Sequence, residues 1–414
     1  MPARLPDHFW SSAALFLLPA LSLVLPSGYS YAPALLIIVS LVNIRLWWGK
    51  VSLPKEVWWM YGSFALLAIS WLVDGWISGE RGSALEKPLK ILLTLPCLLY
   101  LAKRPPQARW LWHGLVVGAI GAASVAGYQA FNSLEAFRVG WFRAEGFTNA
   151  IQFGNLALLL GMMALCGWFV PSRQQTLWRG WLLAGFLGGL FASFLSGSRG
   201  GWLALILLAG LFLAYLAFAG NWRSVLAITL IGTAAGFAVL QIPQLAMKER
   251  ILLIKKEVNS YSINNIANTS VGARLQMWQF GWDLYRAKPL SGWTQLGYMT
   301  EKRKAIDEKR LDPILAEFNH PHNELLDAAS KRGTAGLIIL LLAYFAPFFA
   351  FSNRLKNSMN SRARALSMAG MVIPLAYAAY GLTQSFLPHN SGTMMYVYTS
   401  ILLWGTLNGD NRSA

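Results

Sequence analysis

Apolar residues in this chain fall in runs of roughly 18 to 22, separated by short polar breaks. That pattern constrains the fold more than any other feature. A helix needs about 20 such residues to cross about 30 Å of hydrocarbon, and a soluble core seldom needs even one run of that length. Only 13% of the 414 residues are charged, where a soluble domain carries about 25%, and charge is what a bilayer excludes. The expected fold is all-α and polytopic, with about twelve transmembrane helices.

The spans are expected near 9–26, 31–48, 57–78, 88–102, 109–131, 149–170, 179–196, 201–219, 222–243, 333–352, 365–386 and 391–408. Pro26, Ser27 and Gly28 form a turn between the first two, and Ser196 to Gly201 separates the seventh from the eighth. Pro88, Pro96 and Pro374 lie at or inside spans, where neighbouring helices can satisfy the freed backbone groups. The chain then divides into residues 1–243 with nine spans, an extramembrane loop at 244–332, and residues 333–414 with three spans and a tail. Met1 to His8 is weakly basic and no small-residue cleavage site follows, so the first run reads as a retained span.

Lys and Arg set the orientation. With the N-terminus cytoplasmic, cytoplasmic segments hold 15 basic residues and the short external segments hold 6. The asymmetry places both termini inside and the 89-residue loop outside, on the periplasmic face of a bacterial inner membrane. The loop's own 14 basic residues do not count, because the rule discounts long loops. The net charge of +17 is not a nucleic-acid signal, since the basic residues sit between apolar runs rather than on one soluble face. Cys97 and Cys166 lie within apolar runs and read as small buried hydrophobes.

Two parts of the loop read as helical. Val271 to Ala287 sets Leu275, Trp278, Trp282 and Tyr285 at helical spacing. Thr300 to Leu311 is dense in both charge signs, which suits a solvated face or a surface for anionic lipid or sugar.

Three of the five histidines, His320, His322 and His389, fall on the external face of this topology. Histidine is the general base most easily used near neutral pH. A polar helix from about Asn323 to Lys331 carries His322 at its N-terminal edge, where the helix end favours negative charge and keeps an imidazole neutral. Arg199 sits in a Ser-Gly-Ser-Arg-Gly-Gly turn between two apolar runs, a costly place unless it snorkels or faces a polar cavity or fixed anion. Arg274 opens the Trp-rich helix, as a surface residue or a bidentate phosphate ligand. Arg143, close to Asn149 before the sixth span, either pairs with Glu145 or joins this set. The sequence has no Asp-x-Asp and no His pair at i, i+4, so no metal site and no cofactor is expected.

His322-Asn323, nine residues, then Gly333-Thr334-Ala335-Gly336 resembles the His-[Asn/Ser/Gln]-x9-Gly-x-x-[Gly/Thr/Tyr] signature of the O-antigen ligase family. Arg199 and Arg274 resemble that family's two essential arginines, and Pro289-Leu290-Ser291-Gly292-Trp293 is similar to its Pro-Leu-x-Gly-x segment. The number of spans and the place of the loop match as well. The resemblance implies a type C glycosyltransferase-like fold. It also implies transfer of O-antigen from undecaprenyl pyrophosphate to the lipid A–core oligosaccharide, inverting and metal-independent. His322 would be the general base and Arg199 and Arg274 the pyrophosphate ligands, with Arg143, Asn323, His320 and His389 as substrate-binding candidates. The partners implied are the lipid-linked donor, the lipid A–core acceptor and membrane lipids, with no nucleic acid.

An O-antigen polymerase or a protein O-oligosaccharyltransferase would use the same donor. The protein-modifying relatives carry a larger C-terminal periplasmic region, whereas this sequence ends soon after the last run. A lipid flippase would explain the spans and buried arginines but not the histidine signature or the Trp-rich loop.

Overall fold

The computed structural model describes residues 7–80, 82–138, 142–241, 256–259, 267–358 and 360–410; the side chains at 83, 84, 199, 231, 234–241 and 410 lie outside that description. So do Arg4, Arg81 and Arg412, and the opening of the expected loop at 244–255. Among the described residues there are helices and no strands. Contacts divide the chain into one unit of residues 1–205 and 338–414 and a second of residues 206–337.

The helices in chain order are α1 (Phe9–Leu21), α2 (Tyr31–Val42), α3 (Ile44–Trp47), α4 (Lys55–Ile77), α5 (Ser83–Leu92), α6 (Thr94–Lys103), α7 (Ala108–Phe131), α8 (Leu134–Arg138), α9 (Ala150–Cys166), α10 (Gln175–Ser196), α11 (Arg199–Phe218), α12 (Trp222–Gln241), α13 (Ser270–Ala287), α14 (Thr294–Asp307), α15 (Glu324–Asn357), α16 (Ser361–Gly381) and α17 (Asn390–Asp410). Six described segments are long and apolar enough to cross a membrane: α4, α7, α9 with its 3-10 extension to Phe169, α10, α11 from Gly200 and α15. Each expected span overlaps a helix, but two come out broken. The second run divides into α2 and α3, with Asn43 between them, and the fourth into α5 and α6, at Leu93. A proline lies close to the second break, where Pro96 cannot donate to the carbonyl of Leu92.

In the first unit α9 is the central helix, packed by α7, α10 and α16, and nearly all of it is buried. Small residues allow the approach. A methyl group on Gly189 of α10 would lie 2.3 Å from the Ala157 carbonyl oxygen of α9. Such small-residue seams let helix backbones pack closely where the hydrophobic effect gives no drive between helices.

Interrupted helices in this unit draw donors from tyrosines elsewhere. Pro347 lies inside α15 and cannot donate to the carbonyl of Ala343. Tyr396 of α17 does so instead, its hydroxyl 2.7 Å from that oxygen. Tyr398 donates to Lys90 O at 2.8 Å, beside the α5–α6 break. Tyr380 and Tyr377 of α16 donate to Asn155 O at 2.7 Å and Gly392 O at 2.8 Å. The rings of Tyr377, Tyr396 and Phe386 pack together, with Tyr377 centroids 4.6 and 5.0 Å from the other two.

Tyr396→Phe should therefore strand the Ala343 carbonyl and lower stability by about 1–3 kcal/mol, the cost of an unsatisfied buried group. Pro347→Ala restores the local N–H, so the loss should shrink in that background. Thermal unfolding of the four proteins in detergent reads the cycle, and equal losses in both backgrounds would break the link between Tyr396 and Pro347.

Candidate functional site

The second unit supplies the histidine loop. Its core is Ala273, Met277, Phe280 and Leu284 of α13 packed on Tyr298 and Ala305 of α14 and on Leu311 and Leu315. The aromatic stripe of α13 noted in the sequence therefore faces away from this core, with Trp282 49% exposed and Trp278 and Tyr285 half-buried. The charged stretch gives α14 over 294–307 rather than 300–311, ending before Lys309 at φ +57°. Arg303, Lys304, Asp307, Glu308, Lys309 and Arg310 are exposed, as a solvated face requires. Lys302 departs from that pattern. It is 3% exposed, and its ammonium donates to Leu315 O at 3.0 Å and to Phe318 O. Burial, then Lys331 and Arg303, push its pKa down to about 8.

Asn323 caps α15. Its side-chain oxygen accepts from the backbone N–H groups of Leu325 at 3.1 Å and Leu326 at 3.2 Å, which satisfies two of the helix's unpaired donors. His322 immediately precedes the cap with φ +51°, a conformation uncommon for a side chain with a Cβ. Its backbone N–H donates to His320 Nδ1 at 3.1 Å. A neutral His320 then carries its proton on Nε2. The two rings stand 4.4 Å apart edge-to-face, and Phe318 packs 5.2 Å from His322.

Two buried lysines fix the carbonyls leading into this loop. Lys302 holds Leu315 and Phe318, and Lys331 donates to Asn319 O at 3.3 Å. Lys331 also pairs with buried Asp327 one turn away and lies 5.1 Å over the Tyr298 ring. Arg332 approaches the same carboxylate at 4.0 Å. Sequence reading passed over both lysines. The i, i+4 spacing of Asp327 and Lys331 was visible, but that Lys302 is buried depends on chain folding back from 13 to 16 residues away.

Helix α15 breaks at Gly333, where φ is +65° and ψ −162°. In an unbroken helix Thr334 N–H would donate to Ser330 O. Here Thr334 N donates to Pro289 O at 2.7 Å, and Ser330 O accepts from Trp293 N at 3.0 Å. The Pro289–Trp293 segment thus takes up both groups that the break sets free. The fit is close. A Cβ on Gly333 would fall 2.2 Å from Leu290 O, and one on Gly292 would fall 2.4 Å from the Lys331 carbonyl carbon. Thr334 Oγ1 donates to Pro289 O at 2.9 Å and exchanges a hydrogen bond with Tyr285 at 3.0 Å. The two motifs that looked separate in sequence are two halves of one clasp.

The first unit holds Arg143, the Arg199 turn and His389. Helix α10 ends at Gly197 in the left-handed conformation. Arg143 Nε donates to Ser196 O at 3.0 Å and Ala144 N to Leu195 O at 2.9 Å, so this segment satisfies carbonyls at the helix C-terminus. Ser198 Oγ donates to Asn155 Oδ1 at 2.8 Å. Arg199 then opens α11, its side chain outside the described residues. Asn149, Gln152 and Asn155 step along α9 at intervals of three. The first caps the helix by accepting from Gln152 N at 2.9 Å, and Gln152 Oε1 accepts from Ser391 Oγ at 3.2 Å. His389 lies in the loop before α17, and its Nε2 accepts from the Gln384 amide at 3.2 Å. Burial, then Lys87, push the His389 pKa down to about 4.

Thus His320, His322 and Asn323 are brought together in one unit, with Arg274 half-buried on α13 of the same unit, while Arg143 and His389 belong to the other. Among the described residues no group of three or more His, Cys, Asp or Glu could hold a metal ion. Cys97 and Cys166 are buried free thiols.

Apolar helices of membrane-crossing length, with polar side chains fixed at their turns, define a multi-pass helical membrane protein. Residues 184–341 match the family model described as O-Antigen ligase. That segment contains Arg199, Arg274, His320, His322, Asn323 and both halves of the clasp. An uncharacterized protein of Haemophilus influenzae is 27% identical over 380 residues, covering 90% of this chain and 92% of that protein. An O-antigen ligase of Escherichia coli is 27% identical over 157 residues, covering 37% of this chain and 35% of that protein. The likeness to the O-antigen ligase family is therefore carried by residues 184–341 and by the partial Escherichia coli similarity.

Gly333→Ala should lower the stability of this unit by about 1–3 kcal/mol, since it forces a Cβ into a left-handed backbone and onto Leu290 O. Unchanged unfolding temperature and protease resistance near residue 290 would remove the clasp from the fold's support. His389 gives a pH effect of definite sign. Its folded pKa of about 4 lies below the ordinary 6.5, so its contribution to stability is complete above 6.5. That contribution declines as pH falls from 6.5 toward 4. The unfolding temperature of the native protein should fall faster than that of His389→Gln over this window, and parallel curves would contradict a buried neutral His389.

Proposed function

We propose that this chain is an O-antigen ligase. It transfers O-antigen from undecaprenyl pyrophosphate to the lipid A–core oligosaccharide at the periplasmic face of the inner membrane, completing lipopolysaccharide. In this reading the chain makes twelve spans with both termini cytoplasmic and presents the loop at 244–332 outside. The observation that carries the proposal is His322, held at the capped start of α15 inside the segment that matches the O-antigen ligase family.

In this mechanism His322, neutral, takes the proton from a core-sugar hydroxyl as that hydroxyl attacks the anomeric carbon. Attack comes from the face opposite the pyrophosphate, so configuration inverts. The backbone bond from His322 to His320 and the cap at Asn323 hold the imidazole in place before substrate arrives. Preorganised groups of this kind lower the barrier without reorganising during reaction. Arg199 and Arg274 hold the pyrophosphate and offset charge building on the leaving oxygen, which takes the place of a divalent ion. Arg143 supports the Arg199 turn through Ser196, and Asn323 acts through the helix cap. His320 and His389 remain candidates for substrate binding. Both substrates are anchored in the bilayer by lipid, which limits the search for a productive encounter.

Purified protein should join lipid-linked O-antigen to rough lipopolysaccharide with chelator present, read as a ladder on a gel. No product with both substrates supplied would overturn the proposal, and product formed on free O-antigen chains or on pilin-like protein alone would point to the polymerase or protein transferase instead. His322→Ala should lose turnover by about 10² to 10⁴ while retaining donor binding. Arg274→Ala should weaken donor capture, and donor affinity equal to the native protein's would exclude its phosphate role.

A further inference from the structure

A cavity of about 580 Å³ opens on the face of the first unit where α1 begins. It is lined by His8, Gln107, Arg109, Trp112, Trp178 and Arg362, with Pro105, Pro106, Val170 and Pro171 as an apolar wall. No acidic residue is among its described lining residues, and the nearby Asp7 is paired with Arg104. Two guanidinium groups, those of Arg109 and Arg362, stand in the lining.

Two polar atoms here have no partner among the described residues. Trp112 is 1% exposed, and its indole Nε1–H donates to nothing. Gln107 Oε1 is buried and accepts from nothing, although the amide nitrogen of the same side chain meets His8 Nε2 at 2.5 Å. An unpaired buried donor or acceptor is costly, and such groups ordinarily have a partner. Helix α7 also begins at this wall with no side-chain cap at Gln107. Its first backbone N–H groups, from Ala108 and Arg109, point out of the helix start, where partial positive charge favours an anion.

The surroundings narrow the ligand. Trp10, two residues after the lining residue His8, and Trp110, next to the lining residue Arg109, are 42% and 37% exposed, and exposed tryptophans of this kind mark the headgroup level of a bilayer. The apolar proline wall suits the glycerol and first acyl carbons of a lipid. Arginine, indole N–H and a helix N-terminus together suit a phosphodiester. An unpaired amide oxygen suits a hydroxyl donor on the same headgroup. We infer that this cavity binds the headgroup of an anionic, hydroxyl-bearing phospholipid, its phosphate held by Arg109, Arg362 and Trp112 Nε1 and its hydroxyl by Gln107 Oε1. In the orientation proposed above it draws on the cytoplasmic leaflet, where anionic lipid meets basic residues at the membrane surface. The site is remote in sequence from the histidine loop and does not depend on the ligase reading.

Native mass spectrometry of the full chain in nanodiscs tests this. The discs contain equal phosphatidylglycerol and phosphatidylcholine, and parallel titrations use inorganic phosphate alone. The native protein should retain phosphatidylglycerol over phosphatidylcholine. Arg109→Gln with Arg362→Gln should cut that preference by roughly tenfold, and Trp112→Phe, which keeps the ring but removes the donor, by about threefold. Arg223→Gln, at an exposed arginine that is not among the lining residues, should leave it unchanged. Equal retention of the two lipids, or a preference lost equally in Arg223→Gln, would overturn the assignment. Saturation by inorganic phosphate with no lipid preference would establish an anion site and overturn the lipid as its source. Unfolding temperatures of the variants in detergent alone, if equal to the native protein's, exclude a general loss of fold as the cause.

Discussion

A helix inside hydrocarbon has no water to pair with a freed carbonyl, so each interruption must find a partner within the protein. That requirement organises much of this structure. Pro347 leaves Ala343 O without its helical donor, and the Tyr396 hydroxyl takes its place. The α5–α6 break is covered at Lys90 O by Tyr398. At Gly333 the ladder parts on both sides, and the Pro289–Trp293 backbone supplies a donor to one side and an acceptor to the other. Breaks of this kind permit turns and re-aimed side chains inside long apolar helices. Each also commits a distant residue to a fixed place.

The histidine loop depends on a different device. Lys302 and Lys331 are buried cations that hold main-chain carbonyls at 315, 318 and 319, just before His320 and His322. A buried charge is costly unless it is fully partnered. Here the partners are carbonyls, a carboxylate and an aromatic face. The arrangement constrains the approach to the α15 cap without using the histidine side chains.

Periodic and local features were readable in the sequence. The apolar runs give helices, the polar helix that begins next to His322 follows from the polar run after it, and the all-helical fold follows from the charge deficit. Features that join distant residues were not readable. Nothing near Pro347 announces Tyr396, and nothing in a mixed-charge run distinguishes Lys302 from its exposed neighbours. Arg143 read as a partner of Glu145 or a member of the substrate-binding set, and neither reading announces its bond to Ser196 O, which depends on a helix end more than 50 residues later. The Pro-Leu-Ser-Gly-Trp and Gly-Thr-Ala-Gly motifs were both visible. That they are complementary was not, because their bonds run through backbone atoms, which leave only glycine as a trace.

The clasp also orders events during synthesis. Pro289 to Trp293 leaves the ribosome before Gly333, and the segment bridges residues some 40 positions apart. Its receiving groups therefore already exist when the break in α15 is made. A nascent α15 emerging without that segment would have every reason to continue as one uninterrupted helix of 34 residues, longer than a bilayer needs. The loop is thus upstream of the helix it divides in time as well as in sequence, and it sets where the polar turns of that helix end and its apolar turns begin.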